Sequence, residues 1–116
     1  MITTIEQLKE LVDNTDNMDS PVITYAEWTE CLKSLLAKID GNEQFNYRGT
    51  GSLILFTDVS EMSEEEQKDY DYYCAILRKF FGLYGYGHDG TPKDCWTTAL
   101  NNPDIAIEPE EYRPLK

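Results

Sequence analysis

The chain has 116 residues, 41% of them hydrophobic and 12% aromatic, which is enough for one compact domain with a modest core and too little for two. A net charge of −12 repels nucleic acid and attracts cationic surfaces, over a Debye length of roughly 8–10 Å. No stretch approaches the ~18 apolar residues of a membrane span, and Met1 to Glu6 lacks the basic start and apolar core of a signal peptide.

Along the chain, Thr4-Ile5-Glu6-Gln7 forms a capping box, and Ile5, Leu8, Leu11 and Val12 at helical spacing predict a short first helix to about Val12. Asp13 to Pro21 is turn chemistry, since Asn, Asp and Ser side chains compete for nearby backbone. Thr24-Tyr25-Ala26-Glu27 opens a second helix with an apolar stripe of Tyr25, Trp28, Leu32, Leu35, Leu36 and Ile39, ended by Gly41.

Glu43 to Arg48 and Ser52 to Thr57 read as two strands joined around Gly49-Thr50-Gly51. The run Leu53-Ile54-Leu55-Phe56 predicts a strand covered on both sides. Ser63-Glu64-Glu65-Glu66 starts a third helix with Tyr70, Tyr73, Cys74, Leu77, Phe80 and Phe81 in phase, and Gly82 is expected to stop it. A loop rich in Gly and Tyr follows, and then Thr91-Pro92-Lys93-Asp94 begins a fourth helix to Leu100. Residues 101–116 hold three prolines and read as an extended tail packing through Ile105, Ile107, Tyr112 and Leu115. The expectation is a single α+β domain, a small antiparallel sheet packed with about four helices.

The chemistry-bearing residue types do not form a catalytic or metal-binding pattern. Cys31, Cys74 and Cys95 are odd in number and lack paired spacing, which fits reduced thiols in the cytoplasm. With His88 they form no C-x-x-C element for zinc, and Cys95 beside Trp96 and Ala99 reads as a small buried hydrophobe rather than a nucleophile. Asp13, Asp16 and Asp19 lack the central glycine of a calcium loop. Gly82 to Gly87 follows a helix, so no helix N-terminus stands behind it to hold phosphate. No enzyme activity, cofactor or metal is expected.

Charge is the feature that remains. Residues 58–71, DVSEMSEEEQKDYD, hold seven carboxylates and one lysine, which is −6 of the chain's −12. Glu64, Glu65 and Glu66 at a helix start complement its dipole, by roughly 0.3–1 kcal/mol each. Asp58, Glu61, Asp69 and Asp71 are in excess of that, because like charges at i,i+4 destabilise a helix by ~0.2–0.5 kcal/mol per pair. Carboxylates one helical turn apart stand about 6 Å apart along the axis, a spacing comparable with that of DNA phosphates.

In length, in charge and in the segments DVSEMSEEEQKDYD and NPDIAIEPEEY the chain resembles the small acidic DNA-mimic proteins of bacteria and phages, among them the mimic that binds the histone-like protein HU. The resemblance implies a stoichiometric modulator or inhibitor that occupies the basic surface of a DNA-binding protein such as HU. The charge argues against direct binding of nucleic acid, no membrane partner is expected, and the chain is expected to be monomeric or weakly associated. The residues expected to meet the partner are Asp58, Glu61, Glu64, Glu65, Asp69 and Asp71, followed by Glu27, Glu30, Glu108, Glu110 and Glu111. The alternative is an immunity protein or antitoxin that plugs a basic nuclease toxin, where tyrosines would share the contact with the acids.

Overall fold

The computed structural model describes residues 1–14, 23–43, 47–55, 57–85 and 90–101, and five helices account for most of them. Helix α1 spans Ile5–Asp13 and α2 spans Tyr25–Asp40. Both open on the capping boxes expected of them. Thr4 Oγ1 accepts from the Gln7 amide at 3.2 Å while Gln7 Oε1 accepts from the Thr4 amide at 3.2 Å. Thr24 and Glu27 repeat the exchange at 3.2 and 3.1 Å, so each helix start satisfies two orphan donors. Gly41 caps the end of α2. The buried stripe of α2 is Trp28, Cys31, Leu32, Leu35 and Ile39, with Tyr25 and Leu36 half-buried at its edges.

Helix α3, Tyr47–Leu55, overturns the expected fold class. It runs straight through the residues read as a hairpin turn, and no sheet exists among the described residues. Extended pairing there is limited to one isolated bridge between Ile23 and Thr57, and it is parallel. The protein is therefore helical, and the α+β expectation with its antiparallel sheet is wrong. Thr50, Ser52, Leu53 and Ile54 are all buried, as is Gly51. Residues 50–54 are buried without a break, so this stretch shows no alternation of apolar and polar positions and reads like a covered strand. The small residues Thr50, Gly51 and Ser52, which resemble a turn in sequence, are buried within a helix that packs against α1, α2 and α4.

Helix α4, Glu64–Gly85, begins at the Ser63–Glu66 box, with Ser63 Oγ accepting from the Glu66 amide at 3.2 Å and Glu66 Oε1 accepting from the Ser63 amide at 2.9 Å. It does not stop at Gly82. Phe80 and Tyr84 stack across that glycine with ring centroids 5.5 Å apart, and Leu83 packs on the core. These contacts outweigh the ~1 kcal/mol that glycine costs inside a helix. Helix α5, Pro92–Asn101, opens with Thr91 Oγ1 accepting from the Asp94 amide at 3.3 Å.

The arrangement places α3 at the centre, against α1, α2 and α4, while α5 packs on α4 and α2. One apolar cluster runs through all five helices, including Leu8, Leu35, Leu53, Leu77, Phe80 and Cys95. The expected tail, beyond Asn101, lies outside the described residues, as do Phe45, Phe56 and most of the loop before Gly90.

Candidate functional site

The acidic segment begins where α3 ends. The Asp58 amide donates to the Ile23 carbonyl at 2.9 Å, beside the Ile23–Thr57 bridge, and this ties the α3–α4 connection to the residues that precede α2. Asp58 Oδ1 then accepts from the Ser60 hydroxyl at 2.6 Å and the Ser60 amide at 2.9 Å, a side-chain turn that Asp makes readily. Those two bonds, the hydroxyl's first, hold the Asp58 carboxyl below the ordinary aspartate range although it is fully exposed. Glu61 follows, exposed and without an ion-pair or hydrogen-bond partner among the described residues. Glu64, Glu65 and Asp69 are in the same condition.

Helical geometry separates the acids that the sequence groups together. At about 100° per residue, Glu65 and Asp69 lie one turn apart on one flank of α4, whereas Asp71 is turned roughly 160° from Asp69 toward the other. Asp71 also accepts from Gln67 Nε2 at 2.9 Å. Lys68 projects from the exposed arc between the two flanks, so α4 does not carry an uninterrupted row of carboxylates. The concentration lies instead at the helix start, where Asp58, Glu61, Glu64, Glu65 and Glu66 gather, with Asp69 one turn further along.

Beside this end is a partly enclosed cavity of about 200 Å³ lined by Thr24, Tyr25, Ala26, Asp58, Glu61, Met62 and Glu66. Tyr25 forms an aromatic wall and stacks on buried Trp28 with centroids 5.5 Å apart. Trp28 in turn packs against Tyr70 at 5.2 Å. Tyr25, Met62 and Glu66 are lining residues that sequence reasoning did not select. The Thr24 box marked the start of α2, but no linear signal places that start next to residues 58–66.

Of the secondary acids, Glu27 is already engaged. It accepts from the Ile2 amide at 2.9 Å and caps α2 through Thr24, and these bonds, Ile2's first, lower its pKa. It faces a wider groove of about 490 Å³ with Met1, Ile2, Gln7, Glu10, Leu11 and Asn14. Glu30 is exposed enough to meet a partner but lies 3.5 Å from Lys33. Glu108, Glu110 and Glu111 lie outside the described residues, and so does His88.

No protein-family model, curated protein or solved structure matches the chain.

The thiols offer little reactivity. Cys31, Cys74 and Cys95 are buried and form no disulfide with one another, and burial pushes the first two up to about 12 and about 11, keeping them as thiols at neutral pH. Among the described residues, no group of three His, Cys, Asp or Glu side chains could hold a metal ion, and no helix is long and apolar enough to cross a membrane.

Proposed function

We propose that the chain is a non-catalytic binding protein whose acidic end, at the start of α4, occupies the basic DNA-binding surface of a partner protein and so modulates or inhibits it. The observation that carries this reading is a contrast in charge pairing. Lys9 pairs with Asp13, Lys33 with Glu30, Lys38 with Glu6 and Lys93 with Asp40. Asp58, Glu61, Glu64, Glu65 and Asp69, by comparison, stand exposed with no cation within ion-pair distance among the described residues. A local excess of like charge destabilises the fold it sits on, and a basic groove that normally holds phosphates relieves it. The protein would act as a monomer, and its buried thiols, which form no disulfide, suit the reducing cytoplasm.

The test is displacement of fluorescent duplex DNA from basic DNA-binding proteins, HU among them, at rising salt. DNA should be released stoichiometrically, with an affinity that falls steeply as salt rises, and a Glu61→Lys, Glu64→Lys, Glu65→Lys triple variant should lose the effect. Failure to bind any basic DNA-binding protein, or binding indifferent to both salt and DNA, overturns the reading. Neutralisation of a basic nuclease is the second reading. It is favoured by Tyr72, which is 59% exposed on α4 with its ring edge-on to Tyr73 at 5.2 Å, as an interface anchor would be. In that case Tyr72→Ala would weaken binding more than any single acid would.

A further inference from the structure

We propose that the cavity between the start of α2 and the α3–α4 connection receives one arginine side chain of the basic partner. The inference rests on the reading above and adds the contact that anchors the complex. At about 200 Å³ the cavity is smaller than the ~300–1,000 Å³ of small-molecule sites and has room for a single side chain.

Its walls divide by chemistry. Tyr25, Ala26 and Met62 offer an apolar lining for an alkyl stem, and Asp58, Glu61 and Glu66 offer carboxylates for a charged head. Two of those carboxylates are held in place and still have capacity. The bonds from Ser60 both end on Asp58 Oδ1, and the Ser63 amide donates to Glu66 Oε1, which leaves Asp58 Oδ2 and Glu66 Oε2 open. Glu61 has both oxygens free among the described residues.

The N-terminus of α2 also opens here, and its partial charge of about +0.5 would by itself favour an anion. That end is already capped by Thr24 and Glu27, and three carboxylates outweigh it, so the cavity selects a cation. Guanidinium suits it better than ammonium. A planar fork can bond two fixed carboxylates at once, and it can make a cation–π contact with Tyr25, whose ring stacks on Trp28.

Nuclear magnetic resonance titration of the ¹⁵N-labelled protein with N-acetyl-arginine amide, and with its lysine and citrulline counterparts, tests this. Arginine should produce saturable shifts confined to the amides of Tyr25, Ala26, Glu61 and Met62, lysine weaker ones, and uncharged citrulline none. Glu61→Gln, which changes an exposed side chain and leaves the fold intact, should weaken arginine binding by about threefold to fivefold. Tyr25→Leu keeps apolar packing on Trp28 and should reduce arginine to the level of lysine. Shifts that do not saturate, that spread evenly over the acidic surface, or that survive unchanged in Glu61→Gln overturn the proposal. Binding of a basic protein that neither variant weakens overturns the cavity's role and leaves the functional reading standing. Arginine saturating the cavity while no basic protein binds does the reverse.

Discussion

Thr50 sits in α3 with its hydroxyl fully buried and, among the described residues, without a hydrogen-bond partner. Burying a hydroxyl without a hydrogen bond costs roughly 1–3 kcal/mol on protein scales. Valine has the same branched shape and nearly the same helix propensity, so Thr50→Val removes the desolvation cost with little else changed. The expected gain is about 1 kcal/mol, or a rise in Tm of roughly 3–6 °C for a domain of this size.

Thr29 is the control. It is half-buried and does donate to the Tyr25 carbonyl, at 2.9 Å. Thr29→Val should therefore lose the net worth of one hydrogen bond, about 0.5–1.5 kcal/mol. Urea denaturation followed by far-ultraviolet circular dichroism would give both values with a common slope m. If Val at position 50 lowers the midpoint as Val at 29 does, the Thr50 hydroxyl has a partner and the reasoning fails.

Leu53→Ala empties the middle of the helix that three others surround and should cost ~2–5 kcal/mol in the same urea assay; a cost below 1 kcal/mol would show that α3 is not central. Glu27 has a depressed pKa when folded, so its contribution is complete above the unfolded carboxyl value and is lost as pH falls through the folded one. Glu27→Gln should lower stability at neutral pH and narrow the gap to wild type on acidification below about pH 4, as measured by thermal melts across pH. The buried thiols should resist iodoacetamide in the native protein at pH 8 and react fully in urea, and fast native alkylation of Cys31 would contradict its burial.

The capping boxes at Thr4, Thr24 and Ser63 and the proline start at Pro92 were legible in the sequence because a cap is a local device, made by side chains within three residues of the backbone they satisfy. So were the stripes of α2 and α4, each of which has one apolar and one polar face. The hairpin was misread because glycine has one appearance in two settings, a turn that needs conformational freedom and a helix that needs small size. Gly82 was misread for a related reason, since what carries α4 past it is the stacking of Phe80 on Tyr84.

Sequence alone determined the charge excess, its concentration in residues 58–71, and the helix starts, all of which are set by composition or by neighbours along the chain. Tertiary structure decided that Asp69 and Asp71 diverge around α4. It decided that Glu27 is consumed at a helix start by Thr24 and Ile2. It decided that Asp58, Glu61 and Glu66 meet Tyr25 and Met62 around one cavity. The meeting depends on the Asp58 amide reaching the Ile23 carbonyl, a contact between residues thirty-five apart that no local pattern encodes.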